Sequence, residues 1–428
     1  MTLSMSYRLD KAERLVDVSR RMSKNVGSMF RTGGKIRRLA SALALSAAFS
    51  APISGHPTDD GAPLAEVDFQ WEGGHIYVPA QIQGHACSFL LDTGTSANVV
   101  DLALADKWGL AGSGTIDVDG SGPAVVHGKY LSKVNAVVGG ISVPIAYAAP
   151  IDALSNDEGR HLESILGYTF LQSHIVEIDY ARRHLKIYGR SAGLSPAGLM
   201  MPIKFVDSLP QIQLEMKIGQ DTFKLWTMVD SGASDSTLTG RFLRGRKLQI
   251  GKTSVVTFGG IGGESVGTLF RPDSVKIGSI EFAKPVVSMA AASAGEYGPH
   301  SRYDFTIGSD FLKRFVVTLD YPEKKIFLAP NSEVDKPFEA DKTGLLLTSE
   351  GESLRTFRVT GIVPGSSAEV AGVTEGDIIE TVDGRLASDM SLSQLRELFE
   401  LPTAPSWTLG IRRNGQVLTL NVNAKSIV

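Results

Sequence analysis

Two aspartates in this chain stand at the end of apolar runs and open the same small-residue turn. Phe89-Leu90-Leu91 leads into Asp92-Thr93-Gly94-Thr95-Ser96, and Met228-Val229 leads into Asp230-Ser231-Gly232-Ala233-Ser234. One carboxylate can orient a water. Hydrolysing an amide needs one group to take the water's proton and another to give a proton to the carbonyl or the leaving amine. A facing pair does both, because like charges about 3 Å apart do not both ionise and the pair keeps one proton between them. The titration then belongs to the pair. Thr93 and Ser231 bring a hydroxyl beside each Asp, while Gly94 and Gly232 let backbone approach a carboxylate without a Cβ clash. Thr95 adds a hydroxyl where the second copy has Ala233, so Asp230 is expected to carry the shared proton more often than Asp92. A single Asp-Thr/Ser-Gly is ordinary turn composition. Its recurrence after a second apolar strand is what marks both copies as candidate catalytic residues.

Other chemistries lack their residues. A net charge of -3 over 428 residues, with a pI near 6.3, leaves no concentrated basic surface for nucleic acid. The eight histidines are scattered, without HExxH or paired Cys/His spacing, so no metal site or cofactor is expected. His127, His161, His174 and His184 read as solvated or structural, since no Gly-x-Ser-x-Gly or reactive cysteine accompanies them. The lone Cys87 cannot form an intramolecular disulfide and reads as a small buried apolar residue.

The elements that must position the two aspartates follow from periodicity. Lys35 to Arg38 followed by the apolar run Leu39 to Phe49 has the form of a signal peptide, too short for a permanent span, with small residues suited to cleavage after Ala48 or Ser50. Translation is expected to start either at Met1 or at Met22 or Met29. Residues 1–61 are therefore set aside from the fold. Residues 62–190 form a first mainly β lobe of short alternating strands and Gly-rich turns, with Asp117 to Pro123 capping a projecting hairpin. Ser191 to Met201 reads as a linker, and residues 202–330 repeat the pattern. Thr306-Ile307-Gly308 answers Ile165-Leu166-Gly167, and Asp320-Tyr321 answers Asp179-Tyr180. After a second linker, residues 341–428 form a small α+β domain with a helix over Leu392 to Leu401 and a closing hairpin at Asn414-Gly415.

The paired Asp-Thr/Ser-Gly turns, each followed by an apolar-Gly segment, resemble the aspartic proteases over about residues 67 to 330. The pattern is closest to retroviral-type lobes, here in tandem within one chain. The resemblance implies two acid-protease-like β-barrel lobes, catalytic Asp92 and Asp230, and support from Thr93, Gly94, Thr95, Ser231 and Gly232. Phe258 followed by Gly259-Gly260-Ile261-Gly262-Gly263 resembles a retroviral flap tip, a mobile hairpin over substrate. Leu166-Gly167 and Ile307-Gly308 would pack beneath the active-site loops. No counterpart of the pepsin flap tyrosine is found, Tyr130 lying too late in the first hairpin. The C-terminal domain resembles PDZ modules of bacterial periplasmic proteases through Val359 to Ala368 and Gly376 to Gly384. That resemblance implies a C-terminal peptide ligand, with Thr343-Gly344-Leu345-Leu346 as the carboxylate loop.

The expected activity is that of an aspartic endopeptidase acting on polypeptide in the bacterial periplasm or outside the cell, with no membrane span once the signal is removed. Three alternatives stand beside it. The first is a catalytically inactive peptide-binding protein of the same fold, the second an enzyme whose lobes pair between chains, and the third a PDZ domain that packs on the lobes without binding peptide.

Overall fold

The computed structural model describes residues 61–118, 120, 122–290 and 295–428. The signal-peptide reading falls outside them, as do Asp119 and Ser121 of the first hairpin tip.

Each lobe is built on an antiparallel hairpin whose second strand ends at an aspartate. In the first lobe His75–Ile82 pairs with His85–Leu91, and Gln83-Gly84 turns the chain with φ of 47° and 88°, the left-handed pair a two-residue hairpin needs. In the second lobe Leu209–Ile218 pairs with Asp221–Val229. Phe89–Leu91 then lies parallel to Ser164–Leu166, and Thr227–Val229 parallel to Phe305–Ile307. The alternation of side chains sends Phe89 and Leu91, both fully buried, into the core.

A shared six-stranded sheet joins the lobes. Ala65–Asp68, His184–Gly189 and His174–Asp179 come from the first, and Phe315–Asp320, Lys325–Pro330 and Leu199–Pro202 from the second. The seam is antiparallel, running from Ile175 opposite Asp320 to Asp179 opposite Val316. Leu199–Pro202, at the end of the stretch read as a linker, is drawn into strand by pairing with Lys325–Pro330. Val176, Ile178, Val317, Leu319 and Phe311 belong to one continuous core spanning both lobes. Fully burying such a side chain contributes about 1.5–3 kcal/mol, so the lobes stabilise one another.

The C-terminal domain has its own core of Phe357, Val359, Leu395, Phe399, Trp407 and Ile411. Leu345–Glu350 is the edge of its sheet and pairs with Thr356–Ile362. The helix Leu392–Glu400 starts in a capping box, Ser391 accepting from the Gln394 amide and Gln394 accepting from the Ser391 amide. The expected closing hairpin turns at Asn414-Gly415, φ 51° and 80°. Arg314, 3 % exposed, ties the second linker down by donating to the carbonyls of Glu333 (2.9 Å) and Pro337 (3.2 Å).

Candidate active site

The two Asp turns meet face to face. The Thr93 hydroxyl donates to the Val229 carbonyl (2.7 Å) and accepts from the Ser231 amide (2.9 Å). The Ser231 hydroxyl returns both bonds, donating to the Leu91 carbonyl (2.7 Å) and accepting from the Thr93 amide (3.1 Å). All four bonds are buried, where each contributes about 1 kcal/mol and an unpaired group would cost more. They fix the loops in register.

Each carboxyl consequently sits against the other loop's glycine. A Cβ on Gly94 would lie 2.7 Å from both Asp230 oxygens, and one on Gly232 would lie 2.4 Å from the Asp92 carboxyl carbon. Any side chain at either position would occupy the space of the opposite carboxyl, which is why the turns carry Gly. Asp92 Oδ1 accepts from the Gly94 amide at 2.7 Å, and Asp230 Oδ1 from the Gly232 amide at 2.9 Å. The environments then diverge, since the Thr95 hydroxyl donates to Asp92 Oδ2 whereas Ala233 has no hydroxyl to offer. Beneath the loops a Cβ on Gly167 would lie 2.6 Å from the Thr95 carbonyl, and one on Gly308 2.7 Å from that of Ala233. The two apolar-Gly segments are thus the floor of the site.

Two hairpins cover it. In the first lobe Gly112–Val118 pairs with Val126–Val138, and in the second Ser254–Phe258 pairs with Ser265–Phe270. Their tips bond to each other, the Gly122 amide donating to the Ile261 carbonyl (2.9 Å) and the Ala124 amide to that of Gly262 (3.0 Å). Gly259, Gly260 and Ile261 line the same cavity of about 1030 Å³ as Asp92 and Asp230. Gly262 and Gly263 instead abut the other hairpin. Tyr321, buried below the pair, has its hydroxyl pKa raised by burial and then by the negative charge of Asp92 and Asp230, so it stays neutral.

His75 and Glu158 escaped sequence reasoning. His75 is buried, with Nε2 3.1 Å from the Gly232 carbonyl and Nδ1 3.1 Å from Glu158 Oε2, an ion-pair distance without hydrogen-bond alignment. Burial opposes charge on the imidazole. Glu158, the Gly232 carbonyl and Asp92 outweigh it, and the His75 pKa is raised. The internal repeat carried a signal for it. Tyr77 opposes Leu90 and Gln211 opposes Met228, each two residues before its Asp, so His75 stands where the second lobe has the buried Leu209.

The other histidines behave as expected. His127 pairs with Asp117 (2.8 Å) and His184 with Asp68 (2.7 Å) at the surface, and His161 is exposed. His174 Nδ1 meets the Phe170 carbonyl (3.0 Å). Cys87 is half-buried, less enclosed than its apolar context suggested, and burial followed by the charge of Glu163 pushes its thiol up to about 11. It therefore stays a thiol at neutral pH.

In the PDZ-like domain, Gly344, Leu345 and Leu346 lie where the carboxylate loop was expected and line an outer arm of the cavity. The amides of Thr343, Gly344 and Leu345 are already engaged. Those of Thr343 and Gly344 donate to Asp341 Oδ1, and that of Leu345 to the Thr343 hydroxyl (3.2 Å). Burial raises the Asp341 pKa to about 6 against these bonds. Among the described residues no cluster of His, Cys, Asp and Glu is arranged to hold a metal ion, and no helix is long and apolar enough to cross a membrane.

Comparison with known proteins agrees with this architecture. Residues 78–170 and 214–311 match the aspartyl protease family, and residues 358–413 match the PDZ domain family. The molecule thus carries retropepsin-like aspartyl protease domains followed by a C-terminal PDZ domain. It is also similar to the chloroplastic C-terminal processing peptidase of Tetradesmus obliquus, 30% identical over an alignment of 128 residues that covers 26% of this chain and 27% of that relative. The match therefore spans about a quarter of each protein.

Proposed function

We propose that the chain is an aspartic endopeptidase in which Asp92 and Asp230, paired within one molecule, activate a water to attack a peptide carbonyl. The reciprocal bonds of Thr93 and Ser231, which set each carboxyl against the opposite glycine, carry this reading. Asp92, which accepts from the Gly94 amide and the Thr95 hydroxyl, is the ionised member and takes the water's proton. Asp230 holds the shared proton and gives it to the carbonyl oxygen. Collapse of the tetrahedral diol then returns a proton from a diol hydroxyl to Asp230 and delivers the one on Asp92 to the leaving amine. The meeting hairpins hold the chain over the pair and keep bulk water out. The aspartyl protease match, the PDZ domain and the partial likeness to a C-terminal processing peptidase all favour a polypeptide substrate. The PDZ domain binds or gates that substrate. The signal-like run near the N-terminus favours action after export, in the periplasm or outside the cell, and N-terminal sequencing of the mature protein tests that.

The direct test is cleavage of an unstructured protein from about pH 3 to 8. Asp92→Asn and Asp230→Asn are each expected to lower kcat roughly 10³-fold or more while the fold persists. A variant that keeps wild-type turnover would remove its carboxyl from the chemistry. A folded wild type that binds peptides and cuts none would favour the inactive peptide-binding alternative.

A further inference from the structure

The free edge of Leu345–Glu350 and the helix Leu392–Glu400 form the two walls along which a PDZ domain adds an extended peptide. Here part of that space holds another segment of the same chain. The short helix Ser155–Glu158 of the first lobe reaches the far half of the strand and the first turns of the helix. The Thr348 hydroxyl donates to Asp157 Oδ1 (3.2 Å), and the Ser349 hydroxyl to the Asn156 carbonyl (2.7 Å). Arg396 bridges the walls, one nitrogen donating to the Asp157 carbonyl and the other to that of Leu347, both at 2.9 Å. Gly159 sits so close that a Cβ on it would meet that of Leu392 at 2.5 Å. At the opposite end of the groove, Asp341 and Thr343 accept from the Thr343, Gly344 and Leu345 amides of the expected carboxylate loop.

The same helix ends at Glu158, beside His75, whose Nε2 meets the Gly232 carbonyl. Gly232 in turn lies against Asp92 and donates its amide to Asp230. A continuous series of contacts therefore joins the PDZ groove to both carboxyls. We propose that the groove is occupied in cis by Asn156, Asp157 and Glu158, and that this docking positions the Asp230 loop through Glu158 and His75. The PDZ domain is then a brace of the active site, and His75 is a positioning residue that lies outside the two Asp turns. This inference rests on the hydrolytic reading above only for its kinetic consequence.

The test uses the full chain, a short peptide substrate blocked at both ends, and amide hydrogen exchange over residues 231–234. Glu158→Gln and Arg396→Ala are each expected to lower kcat roughly tenfold with KM changed less than about twofold, and to speed exchange in that segment. His75→Gln, which keeps a donor for the Gly232 carbonyl, is expected to retain more turnover than His75→Ala. Added hexapeptide with a free, apolar C-terminal residue should not saturate the wild-type groove below about 1 mM. Unchanged kcat and exchange in Arg396→Ala, or tight hexapeptide binding that leaves exchange unaltered, would overturn the proposal. A wild type that cleaves nothing would sink the hydrolytic reading, and the exchange measurements would still decide this one.

Discussion

At the scale of single residues, the molecule uses burial to set the charge of groups outside the two Asp turns. Burial, then the nearby Asp235 carboxylate, pushes the Asp310 carboxyl up to about 7, with the Ser236 hydroxyl and Lys313 opposing. Glu400 rises to about 7, again by burial first and Asp235 second. An acid whose folded pKa lies above its unfolded value favours the folded state most below the unfolded pKa, here about 4. That advantage is lost as pH rises through the folded value near 7. Asp310→Asn, which stays neutral, should therefore flatten the fall in Tm between about pH 4 and 7. Thermal melts across that range check it, and an unaltered slope would mean that the carboxyl is charged throughout. His75 left only a faint trace in the sequence, its place in the internal repeat. Its partner carbonyl is 157 residues away, and Gly73-Gly74-His75 has the composition of an ordinary turn. Asp92 and Asp230 were legible because the opposite carboxyl demands glycine two residues after each, and that glycine shows in the local motif.

At the scale of elements, the hairpins over the cleft depend on glycine at their meeting point. Gly262 has φ 96°, and a Cβ there would come within 2.0 Å of the Ala124 carbonyl oxygen. Gly262→Ala must therefore part the tips or strain the turn. The expected outcome is a roughly tenfold fall in kcat/KM with Tm little changed, because the tip contributes little to the core. Steady-state kinetics beside a thermal melt would check both, and unchanged kcat/KM would show that the tips need not meet. The strands, turns and C-terminal helix could be read from alternation, glycine position and the helical spacing of Leu392 to Leu401, all of which are local. The pairing of Leu199–Pro202 with Lys325–Pro330 could not, because a sequence of Gly, Ser and Pro names no partner strand. The docking of Ser155–Glu158 was hidden likewise, since four residues with two acids read as a solvated turn.

At the scale of the whole molecule, the PDZ domain, the first lobe's short helix and the second lobe's Asp loop form one connected path. The sequence reading left open whether the C-terminal domain takes a foreign peptide or packs on the lobes, because motif and order say nothing about what fills a groove. The contacts of Arg396, Thr348 and Ser349 with Asn156 and Asp157 favour the second.

The six-stranded sheet has a further consequence. Three of its strands come from either side of the exposed connection that includes Gly193, Ser195 and Ala197, so neither half can complete its own base. Opening the chain there should yield two fragments that remain together on a sizing column, and the halves expressed as separate polypeptides should recombine by complementation. The covalent link would then serve stoichiometry and speed of assembly, while the hydrogen-bonded seam from Ile175 to Asp179 keeps the two halves in partnership.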